Sequence, residues 1–452
     1  MRDWTEFSSD EFARLIQGID NLLSWSARPQ KICTDTRVLK QGDIFFAVRG
    51  ENFNGNQFVF EAISKGAVGV VLEDWDIFQK LQLPAIYVQD SVRALGLLAA
   101  YHRQCYSPTV IGITGSNGKT TTKDLVYHLL SPEKKGVKSE KSFNNFLGVP
   151  LTLLSIKPDD QFAIVEMGTN HSGEISYLRS LVQPDFAVIT SIGPAHLEGF
   201  ETVQKVADEK CSIVSGAKHF FFSSEDPYIQ ERLSTISAKL EPVGKRGDEQ
   251  TSASQISSKP YLSFRLNQQW DVQTTLLGEH NWVNVLLAIA IAKKMGLNEN
   301  TILPALASFK GPKMRMESYQ ISEITLINDA YNANPVSMQA AIRMLGNLSV
   351  SKQGRKILVA GEMGELGNAS IQSHQQAGQC CVEEKLDQIL TFGEHAKAMH
   401  RSSQFQHFLN QEDLLHFLKK EIKTGDIILF KGSRRNQLEK TFEPLLAHLK
   451  AS

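Results

Sequence analysis

The chain has 452 residues, and at about 150 residues per domain that length predicts two or three domains. Hydrophobic residues make up 42% and charged residues 21%, which excludes extended disorder and collagen-like order and allows a sizeable core in each domain. Lys and Arg number 48 against 49 Asp and Glu, a formal charge of −1. That balance excludes a nucleic-acid binder working through a broad basic face, but not a small basic pocket for phosphates.

The first residues, Met1 to Phe12, are acidic and polar and lack the basic-then-apolar order of a signal peptide. The longest apolar runs, such as Val285 to Ala292, are about eight residues, far below the roughly 20 that span a bilayer, so no membrane insertion is expected. Five cysteines (Cys33, Cys105, Cys211, Cys380, Cys381) form no Cys-x-x-Cys spacing, which predicts neither a disulfide framework nor a zinc site. A reducing cytoplasm is the natural compartment. The vicinal pair Cys380-Cys381 reads as buried packing.

Three blocks follow in chain order. Residues 1 to 90 hold short apolar stretches broken by Gly and Asn, such as Asp43 to Val48 and Ala67 to Leu72, and predict a small α/β domain. Residues 91 to 312 open with a helical run from Asp90 to Tyr106, then the buried-strand pattern Thr109 to Thr114 and a helix-forming run from Lys119 to Leu130. Phe162 to Met167 and Phe186 to Thr190 are further strands, Gly244 to Lys259 reads as a polar loop between strands, and Asn281 to Lys294 is helical. This alternation predicts a doubly wound parallel sheet, with ligands beyond the carboxyl ends of its strands. After Gly311-Pro312, residues 313 to 452 alternate strands (Ile324 to Ile327, Lys356 to Ala360, Gln388 to Phe392, Ile427 to Phe430) with helices, a Rossmann-like α/β pattern.

The strongest chemical signal is Thr114-Gly115-Ser116-Asn117-Gly118-Lys119-Thr120-Thr121-Thr122, set between a strand and a helix. Glycines let backbone N–H groups turn inward around phosphate oxygens, and a helix N-terminus adds favourable partial charge. Lys119 is expected to reach the β- and γ-phosphates of ATP, and Thr120 to offer its hydroxyl to Mg²⁺. The strict P-loop places its first Gly where this chain has Ile113, so the loop is a shortened variant. Glu166 ends an apolar strand and His196 follows the next one, so both emerge at the same sheet edge, where a cation beside a phosphate would sit. Alone, Glu166 is equally readable as structural, and a loop histidine such as His196 is more often a hydrogen-bonding residue than a ligand.

Taken together, Gly115-Ser-Asn-Gly-Lys-Thr, Asn144-Asn145, Glu166-Met-Gly-Thr-Asn-His171, His196-Leu-Glu-Gly-Phe, His280-Asn281 and Asp329-Ala-Tyr-Asn-Ala-Asn-Pro resemble the Mur ligases, the ATP-dependent amide-forming enzymes of peptidoglycan precursor synthesis. The resemblance also covers Asp35-Thr36-Arg37, Gly42-Asp43, Gly361-Glu-Met-Gly-Glu-Leu-Gly367 and Lys431-Gly-Ser-Arg434, nearly the whole chain. Within the family it is nearest the member that adds D-alanyl-D-alanine to UDP-N-acetylmuramoyl-tripeptide. The Asp-Asn-Pro-Arg tetrapeptide of the sibling that adds diaminopimelate does not occur. A sibling adding one amino acid and a folylpolyglutamate-type synthetase are the alternatives; a P-loop regulatory NTPase is the rival from another class.

The resemblance implies a UDP-sugar-binding first domain, an ATP-binding central domain, and a last domain that takes the dipeptide and completes the ATP site, in a monomer. It implies that Asn281 contacts adenine, Arg315 the terminal phosphate and Asp329 the ribose. Asn144 and Asn145 would meet the muramoyl sugar and peptide, Thr36 and Arg37 the nucleotide-sugar, and Ser433 and Arg434 the dipeptide. Read as residues alone, Asn281 is equally a helix N-cap, Arg315 a linker charge, Asp329 a turn residue, Asn144-Asn145 a loop, and Arg37 a solvated charge.

Lys210 lies on the helical face of Val203, Val206, Ile213 and Val214. By itself it reads as a lysine snorkelling to solvent from the edge of that face. The resemblance implies instead that it is carbamylated and orients or binds a second Mg²⁺ beside Glu166 and His196. Lys205 lies off the face.

Overall fold

Short apolar runs bounded by turn residues become the strands of three large sheets in this computed structural model, which describes residues 2–50, 53–247 and 249–451. The first sheet has the strand order Ile19–Asp20, Ala85–Tyr87, Gly69–Leu72, Ile44–Phe46, Ile32–Cys33, parallel except at its first pair. Its side chains alternate between two cores, with Ile44, Phe46, Val71 and Ile86 on one face and Phe45, Val70, Leu72 and Ala85 on the other. Burial on both faces is why these strands read as continuous apolar runs.

The central sheet has nine strands, in the order Trp270–Leu277, Tyr261–Leu266, Thr251–Ser258, Lys239–Gly244, His219–Ser223, Phe186–Ile189, Thr109–Thr114, Phe162–Glu166, Gly136–Lys138. Pairing is parallel from Phe186–Ile189 through Lys239–Gly244 to the start of Thr251–Ser258, and antiparallel in the hairpins beyond. The last sheet runs Glu317–Ile321, Ile324–Asp329, Ile427–Lys431, Lys356–Gly361, Gln388–Phe392, Phe405–Phe408, and only its first pair is antiparallel. Apolar clusters cover both of its faces, so it too is doubly wound.

By compactness the chain divides into two units. One comprises residues 1–112, 133–168 and 176–185, and holds the first sheet and the strands Gly136–Lys138 and Phe162–Glu166. The other comprises residues 113–132, 169–175 and 186–452, and holds the phosphate-loop helix, the strands from Phe186 onward and the whole last sheet.

The helices Lys119–Leu130 and Asn281–Lys294 and the strands Thr109–Thr114 and Gln388–Phe392 have the bounds that periodicity predicts. Asp90 caps the helix Ser91–Cys105 by accepting from the Arg93 N–H at 2.9 Å. Two expectations fail. The polar stretch 244–259 is not a loop, because Thr251–Ser258 is a strand whose Thr251, Ser252 and Ala253 are buried. Its Ser-rich, polar composition has little strand preference of its own; the ladders with Lys239–Gly244 and Tyr261–Leu266 impose the conformation. The run Val203 to Val214 is an α-helix only to Cys211 and ends in the 3₁₀ turn Ser212–Val214. All five cysteines are free, and burial pushes the Cys381 thiol up. Among the described residues no helix is long and apolar enough to cross a membrane.

Candidate active site

The loop between strand Thr109–Thr114 and helix Lys119–Leu130 is built for close approach. Gly115 has φ +151° and Gly118 φ +84°, and a Cβ would collide with Thr190 Oγ1 at the first and with the Asn284 side chain at the second. Non-glycine residues avoid such backbone, and here they also lack the space. The segment after the neighbouring strand Phe186–Ile189 braces the loop: the Ser116 N–H donates to Ser191 O at 2.8 Å, the Asn117 N–H to Ser191 Oγ at 3.1 Å, and the Gly193 N–H to Ser116 Oγ at 3.0 Å. Lys119 Nζ folds back to donate to Gly115 O at 2.6 Å, and Thr120 and Thr121 are buried in the first helical turn. A lysine laid across its own loop at a helix N-terminus is the arrangement a polyphosphate requires.

His196 sits beyond the carboxyl end of strand Phe186–Ile189 at φ +55° and caps the short helix Leu197–Phe200. Its Nδ1 is buried and lies 2.5 Å from Glu365 Oε2, close enough for an ion pair but off the ring N–H direction. That imidazole holds the Glu365 carboxyl below the usual carboxylate range, with Arg435 and Lys119 adding to the effect. Lys210 is only 1% exposed and its Nζ has no hydrogen-bond partner, so the snorkelling reading fails. Burial and the neighbouring Lys119 cation drive its ammonium well below its ordinary pKa, while the adjacent Glu209 opposes the shift. The Glu209 carboxylate is occupied elsewhere, accepting from the Gly173 and Ile175 N–H groups at 2.7 and 2.6 Å. Lys205 is exposed and pairs with Glu201.

The last sheet brings a second set of groups to the same unit. Asn334 caps the helix Pro335–Asn347, accepting from the Ser337 N–H at 2.9 Å, and its Nδ2 donates to Asn117 Oδ1 of the phosphate loop, also at 2.9 Å. Asp329 is nearly buried at the end of strand Ile324–Asp329; it accepts from Lys431 Nζ at 2.5 Å and from the Met316 N–H at 3.2 Å. Arg315 lies over the Tyr331 ring, 4.2 Å from its centroid, a cation–π contact that fixes the guanidinium plane. Asn281 does not serve as its helix's N-cap, a position held by His280. Its Nδ2 donates to Leu277 O and its Oδ1 accepts from Asn284 Nδ2, both at 2.9 Å, which ties it to the residue packed against Gly118. Ser433 is buried and its N–H donates to Glu362 O at 2.8 Å, and Arg434 pairs with Glu439 at 2.7 Å.

In the other unit, Glu166 is buried at the end of strand Phe162–Glu166; Oε1 accepts from Asn144 Nδ2 at 2.9 Å, and its N–H donates to Ser139 Oγ at 3.0 Å. Asn145 has a structural duty as well, since its Oδ1 accepts from the Leu147 and Gly148 N–H groups at the start of helix Gly148–Leu153. Thr36 is buried on the turn after strand Ile32–Cys33. The exposed Arg37 holds Asp35 through two guanidinium nitrogens, at 2.7 Å from Nη2 and 2.9 Å from Nε, and pulls that carboxyl down to about 2.

No cluster of three or more His, Cys, Asp or Glu able to hold a metal occurs among the described residues. The available donors are a hydroxyl (Thr120), one imidazole and single carboxylates. That set suits Mg²⁺, which keeps several waters and takes few protein ligands beside phosphate oxygens. Sequence reasoning assigned no role to Glu365, Asn334, Lys431 or Asn284. The first three lie inside motifs already singled out, and only the fold shows what they touch.

Comparison with known proteins agrees with this geometry. The family model described as the Mur ligase middle domain matches residues 113–292, and that described as the Mur ligase glutamate ligase domain matches residues 314–434. The chain is 34% identical over 432 residues to the UDP-N-acetylmuramoyl-tripeptide–D-alanyl-D-alanine ligase of Bacillus subtilis, covering 92% of this chain and 93% of that one. The ligase of the same name from Escherichia coli is 32% identical over 428 residues, with coverage of 92% and 93%. Among solved structures, MurF from Acinetobacter baumannii superposes with a TM-score of 0.89 at 30% identity over 99% of both chains. MurF ligase from Thermotoga maritima, solved with ADP, superposes with a TM-score of 0.83 at 25% identity over 93% of this chain and 98% of that one.

Proposed function

Because the chain belongs to the Mur ligase family, we propose that it joins D-alanyl-D-alanine to UDP-N-acetylmuramoyl-tripeptide, cleaving ATP to ADP and phosphate, in peptidoglycan precursor synthesis. The observation that carries this reading is likeness across both whole chains to ligases of that name, joined to a phosphate loop with the required geometry.

The chemistry follows from the substrates. A carboxylate is a poor electrophile at neutral pH. Transfer of the γ-phosphoryl group of ATP to the tripeptide's terminal carboxylate gives an acyl phosphate and ADP; the dipeptide's amine then attacks the carbonyl, and phosphate leaves as the amide forms. Phosphoryl transfer needs positioning and charge neutralisation more than covalent help. In this reading the 115–118 loop, braced by Ser191, and the Lys119 ammonium hold the phosphates, with Thr121 closing the first helical turn. Thr120 holds one Mg²⁺, and Glu166 and His196 a second. Bound there, Mg²⁺ neutralises charge on the phosphate oxygens. Asn281 faces adenine, Arg315 the terminal phosphate and Asp329 the ribose. The Tyr331 stack on Arg315 and the Lys431 bond to Asp329 support the last two, since each orients its group in advance.

Lys210 is the residue whose environment asks most for explanation. An ammonium buried without a partner beside the Lys119 cation is costly. Carbon dioxide adding to the neutral amine forms a carbamate and releases a proton, which turns the cation into an anion next to Lys119. The carbamate then serves the second Mg²⁺. Asn144 and Asn145 meet the muramoyl portion, Thr36 and Arg37 the uridine diphosphate, and Ser433 and Arg434 the dipeptide. An arginine suits a diphosphate because its planar donors bind oxygens in pairs, as Arg37 already binds Asp35. Residues 1–90, 91–312 and 313–452 then act as the sugar-nucleotide, ATP and dipeptide domains of a cytoplasmic monomer.

The test is ADP release measured with the tripeptide nucleotide plus D-alanyl-D-alanine, and again with single amino acids or glutamate. The ligase releases ADP only when both the nucleotide and the dipeptide are present. Steady release without an amine acceptor would instead mark a plain NTPase.

A further inference from the structure

Glu365 has no part in the roles above, yet it is the group that meets His196. The His196 Nδ1 is sealed from solvent 2.5 Å from the Glu365 carboxylate. Both residues are held at positive φ, +55° and +60°, a backbone state that a non-glycine residue adopts only where its surroundings impose it. The backbone reinforces the contact, since the Glu198 N–H donates to Glu365 O at 3.4 Å. Behind Glu365, its loop is tied to the last sheet's own helix Ser370–Glu383. The buried His374 accepts the Met363 N–H at Nε2 (3.0 Å), with Nδ1 2.8 Å from Ser370 O. A loop anchored on one block thus delivers a carboxylate to the histidine of another.

We propose that Glu365 is a positioning residue for the cation site: it occupies His196 Nδ1, leaves Nε2 as the nitrogen presented to a divalent cation, and does so only when the 361–367 loop is docked. This rests on the reading that His196 holds a cation. A carboxylate against the far nitrogen is the usual partner of a metal-binding histidine; it fixes the ring and strengthens the ligand, and its loss commonly weakens metal binding or activity about 10–100-fold. Because the carboxylate comes from the last block, cation binding and loop docking become linked.

The experiment is equilibrium binding of Mn²⁺ to the full-length protein with a non-hydrolysable ATP analogue, read from the electron paramagnetic resonance signal of free Mn²⁺. The variants are H196A, E365A, E365Q and the H196A/E365A double. Glu365 is 43% exposed at its side chain, so its replacement leaves the core untouched. E365A is expected to weaken the His196-dependent Mn²⁺ site about 10-fold or more. E365Q, whose amide oxygen can take the place of the carboxylate oxygen facing Nδ1, should stay close to the unmodified protein, and the double variant should bind as H196A does. If H196A loses the site while E365A binds normally, the positioning role is wrong and the cation reading stands. If H196A itself binds normally, His196 is no cation ligand and this inference falls with that reading.

Discussion

At the scale of single residues, the phosphate loop and the buried lysine make separable predictions. K119A is expected to abolish ligation with an unchanged melting curve, because a half-buried lysine at the first position of its helix adds little to stability; near-normal turnover would overturn the ATP assignment. E166Q keeps shape but removes a negative ligand, so turnover should fall by more than tenfold and recover in part at high Mg²⁺. Lys210 affects stability as well as activity. Its folded-state pKa lies well below 10.5 while the unfolded chain keeps the ordinary value, so the unfolded state binds more protons between the two. Stability in carbon-dioxide-free buffer should therefore rise with pH across that window, and K210M should remove the slope and stabilise the protein at neutral pH by about 1–3 kcal/mol. Added bicarbonate should raise the melting temperature of the unmodified protein and leave K210M unmoved. K210A should lose most activity and regain part of it with a small carboxylic acid in the buffer, whereas K205A should show neither effect; a fully active K210A would remove the carbamate and leave the ligase standing.

At the scale of elements, the helix ends carry the function. The N-terminus of Lys119–Leu130 is exposed to phosphate only because Gly118 turns with φ +84° under the Asn284 side chain. G118A should cost about 1 kcal/mol or more of stability and most of the affinity for a fluorescent ATP analogue. The helix Pro335–Asn347 begins at Asn334, which both caps it and bonds to Asn117. N334D keeps the capping acceptor and loses the donor, so its stability should hold while KM for ATP rises several-fold. N334A loses both and should also drop about 1 kcal/mol. If N334D bound ATP normally while N334A did not, the cap alone would be what matters.

At the scale of the molecule, the residues assigned to ATP come from two blocks that the family models also separate, 113–292 and 314–434. Within their shared compact unit these blocks meet through Asn334 and Asn117 and through Glu365 and His196. Both contacts are small and polar, the kind a ligand shifts easily. An ATP analogue with the tripeptide nucleotide is expected to lower the radius of gyration measured by small-angle scattering. N334D should blunt that change, and no compaction in the unmodified protein would count against nucleotide-driven closure.

Much of this was legible in the sequence because its signals are local. Thr109–Thr114 is a strand and Lys119–Leu130 a helix because apolar spacing and a glycine turn act within a few residues, and the family motifs name the chemistry at the junction. What the sequence left open were matters of solvent and of distant partners. Whether Lys210 reached water and whether a serine-rich stretch was loop or strand turned on what packs or pairs with them, not on their own spacing. Glu365 was legible as a motif letter, but its meeting with His196 required the last sheet to fold and its loop to dock. Desolvation and ladder pairing are properties of neighbours in space, and only the tertiary structure decides who those neighbours are.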